Sequence, residues 1–275
     1  MIEIQAATFS YSDRPGLSRP VFQNFNLKIS HGRYAVLMGP NGSGKSTLGK
    51  IIKGILPLAS GKILIGGEPL KPGENSSRVG YMFANPENQI VSSVVEEDVA
   101  FGLANRGMDS PAMRRRVQES LRLVGMEAYR FHSPHVLSGG EQQKVVLAGI
   151  LAMESEVLVL DEPTSLLDPQ GRREILTLFS QIQKRGGKTI LHITHSFAEA
   201  LQGHELLYLE AGRIRFQGSP WDFLANHAKF KVSRESCPPF YRLIEGLRER
   251  GHQIPEAIQT EEELQKFLLE KKTEG

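Results

Sequence analysis

The sequence has one cysteine, Cys237, which excludes an intrachain disulfide, and nothing near it has metal-ligand spacing. A reducing compartment fits. Long apolar runs are missing too. The longest, Val145 to Met153, falls well short of the ~18 residues needed to span a bilayer. The N-terminus lacks a basic-then-apolar targeting pattern. The expectation is a cytosolic protein whose membrane role, if any, comes through a partner. Charge of one sign is scarce as well. A net charge of +2 excludes the broad basic face that nucleic acid or an anionic membrane surface requires. Arg114-Arg115-Arg116 and Lys271-Lys272 are short and read as solvated helix faces. There is no internal repeat and no low-complexity tract. What remains is ordinary for a globular chain: 275 residues, 40% hydrophobic and 23% charged, enough for one or two domains with a sizeable core.

The chain is organised around Gly39-Pro40-Asn41-Gly42-Ser43-Gly44-Lys45-Ser46-Thr47, which matches G-x-x-x-x-G-K-[ST] at every fixed position. The apolar run Tyr34 to Met38 leads in as a buried strand. A helical pattern, Leu48 to Leu56, leads out and stops at Pro57. Glycines let backbone N–H groups close around phosphate oxygens, and a helix start presents its positive end to them. Lys45 would reach the β- and γ-phosphates, and the Ser46 hydroxyl would ligate Mg²⁺. The bland alternative is a Gly-rich turn that binds nothing. The full motif in this setting predicts a nucleoside triphosphate site.

Around that loop the chain alternates β and α. Residues 2–9 and 21–29 are β-leaning, split by a loop rich in Ser, Pro, Gly and charge, and suggest an antiparallel layer. Tyr11, where the first strand ends, is either an adenine-stacking platform or a half-buried strand aromatic, and the residues alone favour the latter. Short strands are expected at 61–65 and 79–83. Residues 93–125 read as helical with a break at Gly107 to Pro111, and Val117, Leu121 and Val124 lie on one face. Val157 to Leu160 is a buried strand ending in Asp161-Glu162. Asp168-Pro169 opens a helix to about Arg185, Thr189 to Thr194 is a strand delivering His195, and 205–216 is a hairpin. From Ser219 onward short amphipathic helices follow. Thr260-x-x-Glu263 forms a capping box for the last one. This tail reads equally as a cover on the core or as an oligomerisation element.

An Asp-Glu pair at a strand end suits a magnesium nucleotide site. A strand adjoining the phosphate-loop strand would put Asp161 at the metal and Glu162 near the γ-phosphate, placed to polarise water. His195 would hydrogen-bond the γ-phosphate, although a lone His at such a place is usually structural. In Leu137-Ser138-Gly139-Gly140-Glu141-Gln142, Ser138 is an N-cap and the glycines allow close approach of a phosphate. The phosphate loop already holds the α- and β-phosphates. One resolution is that this helix start faces another subunit's nucleotide, which spacing cannot establish.

The phosphate loop, Leu137 to Glu141, Leu160-Asp161-Glu162-Pro163-Thr164-Ser165, Leu167-Asp168 and Thr194-His195, in this order, resemble the ATP-binding cassette (ABC) ATPases. The resemblance spans residues 2–217 or so. It implies an α/β P-loop NTPase core with an antiparallel β-layer, residues 1–218, a helical subdomain inserted at about 85–150, and a helical C-terminal extension, 219–275. It implies ATP and Mg²⁺, and a head-to-tail dimer in which one subunit's phosphate loop and another's Ser138, Gly139, Gly140 and Glu141 enclose each ATP. Tyr11 becomes the adenine platform, Glu162 the general base, Asp168 a dimer contact and His195 the γ-phosphate switch.

Asn85-Pro86-Glu87-Asn88-Gln89, then Val95-Glu96-Glu97-Asp98-Val99-Ala100-Phe101-Gly102, resemble the ATPases of energy-coupling factor importers, including the cobalt and nickel branch. So does the tail with Pro238-Pro239, Leu247 to Gly251 and Ile254-Pro255. This implies a dimerising tail, docking of residues near 84–102 on a transmembrane coupling subunit, a solute-binding membrane subunit, and a peripheral place at the cytoplasmic face of the cell membrane. The reading is an ATPase subunit of a vitamin or metal-ion importer. The alternative is a regulatory nucleotide-binding subunit paired with a more active ATPase, and a cassette serving nucleic-acid machinery is disfavoured for want of a basic face. One residue departs from the pattern. Ala84 stands where the family has a Gln that touches Mg²⁺ and water, and Gln89 or Asn85 is the candidate to replace it.

Overall fold

Alternating apolar residues at the start of the chain build a long antiparallel pair, β1 (Ile2–Arg14) and β2 (Leu17–Ile29). In this computed structural model residues 1–14, 17–71, 73–255, 258 and 261–273 are described. The strands run further than the 2–9 and 21–29 expected from sequence, with Tyr11 paired to Arg19 where a loop was anticipated. Bulged positions at Ala6 and Asn24, both with positive φ, let the ladder bend and continue. The fully buried β3 (Tyr34–Met38) enters the phosphate loop, and α1 (Lys45–Lys53) leaves it. Next come β4 (Ser60–Ile65), β5 (Glu68–Pro69) and β6 (Val79–Met82). Three helices then intervene: α2 (Val95–Ala104), α3 (Ser110–Leu123) and α4 (Gly139–Ala152). Val117, Leu121 and Val124 are all buried, as their spacing predicts. The core resumes with β7 (Val157–Asp161), α5 (Pro169–Gly186), β8 (Thr189–Ile193), α6 (Phe197–Ala200), β9 (Glu205–Glu210) and β10 (Arg213–Gly218).

Two sheets result, ordered β2-β1-β4-β5 and β10-β9-β3-β8-β7-β6. The second is parallel except for the β9–β10 hairpin. One apolar cluster joins them through α1: Ile2, Phe22 and Ile29 from the first sheet, Leu48, Ile51 and Ile52 from the helix, Leu37, Val159 and Ile193 from the second. Each such side chain, fully buried, contributes about 1.5–3 kcal/mol. The expectation that β7 adjoins the phosphate-loop strand is corrected here. β8 lies between β3 and β7, so Asp161 stands two strands from the phosphate loop. Strand order is a long-range outcome that local pattern does not encode.

Residues Met1–Ser219 form one compact unit and Pro220–Gly275 a second. The second holds α7 (Pro220–Ala225), α8 (Pro239–Glu249) and α9 (Glu261–Thr273), with a small apolar centre of Ile244, Ile254, Ile258 and Leu264. The capping box assigned to Thr260 lies outside the described residues. Among the described residues no helix is long and apolar enough to cross a membrane.

Candidate functional site

The phosphate loop turns so tightly out of β3 that Gly39 adopts φ +150°. A Cβ there would sit 2.0 Å from the Leu209 carbonyl oxygen, so only glycine fits. Gly44, at φ 106°, starts α1 without any side-chain cap, and no acidic residue lies in the first turn. The helix start is therefore left open, with its positive end unanswered. Lys45 is buried and folds back on the loop, donating to the carbonyls of Gly39 (2.9 Å) and Pro40 (3.1 Å). Burial lowers its pKa, opposed by the carboxylates of Glu162 and Asp161.

A cavity of ≈ 360 Å³ opens above the loop. It is lined together by Asn41, Gly42, Gly44, Lys45, Ser46 and Thr47, by Asp161 and Glu162 from the end of β7, and by His195 beyond β8. Tyr11 lines it too, and its hydroxyl lies 3.1 Å from Thr47 Oγ1. Gly39, Pro40 and Ser43 belong to the loop but do not line the cavity. Two buried polar atoms there have no hydrogen-bond partner, Ser43 Oγ and Glu162 Oε1. Such orphans are rare and point to a ligand. The donor set suits a triphosphate with a hard divalent cation. It holds one lysine, a row of loop amides, the Ser46 hydroxyl and a buried carboxylate. Such a cation takes one or two protein oxygens plus phosphate and water.

The acidic pair is held apart in role. Asp161 Oδ2 accepts a 3.0 Å hydrogen bond from the Tyr81 hydroxyl, which fixes its orientation. Glu162 sits at φ +52°, a left-handed conformation costly for a residue with a side chain, and its N–H donates to Ile193 O. Burial raises the Glu162 pKa to about 7, helped by the charges of Glu199 and Asp161 and opposed by Lys45. His195 Nε2 lies 3.6 Å from Glu162 Oε1. Burial and Lys45 lower the His195 pKa, opposed by the charge of Asp161.

Other residues assigned from sequence stand elsewhere. Ser138, Gly139, Gly140 and Glu141 do not line the cavity. They begin α4, where Glu141 Oε2 accepts from both the N–H and the hydroxyl of Ser138, each at 2.8 Å, and Ser138 Oγ accepts from Glu141 N–H. Asp168 caps α5, accepting from Gly171 N–H at 2.7 Å. Gln89 is not brought to the metal position. Its amide bridges the strand end, accepting from Phe83 N–H and donating to Tyr81 O, both at 3.0 Å. Asn85 is likewise spent, accepting from Glu87 N–H. Ala84 itself lines the cavity, so a methyl group faces the site and neither neighbour replaces the missing amide.

Sequence reasoning missed Arg19, which lines the cavity beside Tyr11, and Tyr81 behind Asp161. It also missed Gln143, whose amide touches Glu162 O (3.3 Å), Ser165 Oγ (3.3 Å) and Leu166 N (3.4 Å). A signal existed for the last. Gln142-Gln143 is a polar pair just before the long apolar run of α4, and both side chains are buried.

Comparison with known proteins agrees with this geometry. Residues 22–165 match the model of the ABC transporter family. The energy-coupling factor transporter ATP-binding protein EcfA1 of Symbiobacterium thermophilum is 40% identical over 92% of this chain and 89% of its own length. The structure of cbiO1 from Clostridium perfringens, part of the ABC transporter complex cbiONQ, superposes with TM-score 0.74 at 32% identity, covering 89% of this chain and 98% of that one. A dimeric post-hydrolysis structure of the ATP-binding cassette MJ0796 bound to ADP and Pi gives TM-score 0.74 at 28% identity, over 80% and 99% of the two chains. A phosphate loop, an acidic strand end and a histidine facing one cavity, on a fold shared with these cassettes, make this chain an ATPase of the ABC transporter family, in its energy-coupling factor branch.

Proposed function

We propose that the chain binds and hydrolyses ATP to energise an energy-coupling factor importer of vitamins or transition-metal ions. The observation that carries the reading is the single cavity shared by Lys45, Ser46, Asp161, Glu162 and His195. The loop amides and Lys45 receive the phosphates, and Tyr11 stacks on adenine. Ser46 and Asp161 would hold Mg²⁺, which supplies positive charge to the β- and γ-phosphate oxygens. Glu162 takes the proton of the water that attacks the γ-phosphate, and His195 donates a hydrogen bond to that phosphate.

The second half of the site comes from another ABC ATPase, a copy of this chain or a different one, through Ser138 to Glu141 with Asp168 at the contact. Residues 219–275 hold the pair together. The stretch 84–102 docks on a transmembrane coupling subunit, which works with a solute-binding membrane subunit, at the cytoplasmic face of the cell membrane. Val91 and Phe101 support this, being large apolar side chains 60% and 49% exposed within that stretch. Replacing Glu162 by Gln tests the base. With ATP and magnesium the variant accumulates as an ATP-bound dimer by light scattering, and phosphate release falls on the order of 10²–10⁴-fold. Turnover near the parental rate would overturn the assignment.

Ala84 favours a second reading, a nucleotide-binding regulatory subunit with little hydrolysis of its own. Phosphate release from this chain alone and beside its partner ATPase separates the two.

A further inference from the structure

The loop after Glu162 and the loop carrying His195 leave adjacent strands, β7 and β8. Beneath both lies Glu199 in α6, only 3% exposed although it carries a carboxylate. Its Oε1 accepts from the Thr164 hydroxyl at 2.7 Å, two residues beyond Glu162. Its Oε2 accepts from the Thr194 hydroxyl at 2.7 Å, immediately before His195. Each threonine also shapes its own loop. Thr164 O accepts from Leu167 N–H in the turn that leads to Asp168, and Thr194 Oγ1 accepts from Ser196 N–H.

The anchor is itself anchored. Ser196 Oγ accepts from Glu199 N–H. His192, fully buried in β8, places Nε2 3.3 Å from Glu199 Oε2 and Nδ1 3.0 Å from the Tyr34 hydroxyl. Arg172 Nε, on α5, stands 3.6 Å from Oε1. Burial works against the charge, but His192 and the two hydroxyls outweigh it and lower the Glu199 pKa to about 2. It is an anion at any working pH. A buried anion costs several kcal/mol in desolvation, and apolar packing of the same volume is often as stable. What the carboxylate provides and a leucine does not is a fixed distance between two hydroxyls on different loops.

We propose that Glu199 is a positioning residue for ATP hydrolysis, its two oxygens tying Thr164 to Thr194 so that the loops bearing Glu162 and His195 move as one body. The idea rests on the hydrolytic reading above but makes its own measurements. In the full chain, Thr164→Val and Thr194→Val each lower kcat at least tenfold while equilibrium ATP affinity stays within threefold. The double variant is no more than threefold worse than either single one, because one cut already unties the loops. Thr164→Ser, which keeps the hydroxyl, stays within twofold of the parental kcat. Amide hydrogen exchange reads the tie directly. In Thr164→Val it rises tenfold or more over 194–199 as well as 162–168, with 39–47 unchanged. Where the valine variant does not fold, Thr164→Ala removes the same hydroxyl and carries the same expectation.

Exchange that rises only beside the substituted residue overturns the proposal. So does a parallel fall of kcat and affinity, or losses that multiply in the double variant. A parental chain that releases no phosphate even beside its partner ATPase removes the hydrolytic reading instead, and the exchange result then decides the tie alone.

Discussion

Two helix starts in this chain, those of α1 and α4, are both built from glycine and small polar residues, and their first turns are satisfied in opposite ways. At α1 the cap is a left-handed glycine with no side-chain bond, no acidic residue follows, and a buried serine oxygen nearby lacks a partner. At α4 a full capping box closes the turn, and the Glu141 carboxylate sits on the Ser138 N–H and hydroxyl, adding negative charge at the helix start. One start is incomplete without a ligand. The other is complete in the isolated chain, and its hydrogen bond to Ser138 keeps the Glu141 pKa low, so the charge is present at neutral pH. A helix start of the second kind accepts a phosphate only by exchanging one negative group for another. On the proposed two-subunit site, the α1 half binds first and unaided, and the α4 half joins when the ligand competes with Glu141.

The contrast is broken most severely at Lys45. Lys45→Ala removes the lysine of the open start and leaves the Gly39 and Pro40 carbonyls without their donor. Nucleotide affinity and turnover fall on the order of 10²–10³-fold in binding and phosphate-release assays. Acid is the next lever. On the proposed mechanism Glu162 works as a base only when ionised, and its folded-state pKa is raised to about 7. kcat/KM for ATP therefore drops about fivefold between pH 7 and pH 6, and the drop is absent from ATP binding itself. Ala84→Gln restores an amide facing the cavity and raises turnover several-fold in the assembled transporter. An unchanged rate there shows that the methyl group costs the site nothing. The smallest effect falls on the capped start. Glu141→Gln removes the competing charge while leaving a capping group, and ATP-driven dimerisation tightens by about 1 kcal/mol, roughly fivefold, by sedimentation.

How far the sequence speaks depends on how local the chemistry is. The phosphate loop, the acidic pair after β7 and His195 were legible because residue type and strand-end position alone carry their meaning. The capping box at Ser138 was half read: the serine was assigned as an N-cap, but Glu141, at the same S/T-x-x-E spacing as Thr260-x-x-Glu263, was not assigned as its reciprocal partner. Strand order was not legible, since β8 enters between β3 and β7 by pairing with β3, more than a hundred residues away in the chain. Tyr81 on Asp161 and Glu199 between two threonines are likewise matters of tertiary distance. A polar His192 inside the apolar run Thr189 to Ile193 was the one written hint of that buried network.

The sheet order β10-β9-β3-β8-β7-β6 also ranks the parts of the site by robustness. Outer strands fray before inner ones, and here the outer strand on one side leads to Ala84, while the two innermost lead to the phosphate loop and His195. Gentle warming should first loosen the stretch after β6. Under the proposed docking of 84–102, a chain in that condition would still grip its nucleotide but would have lost its transmission.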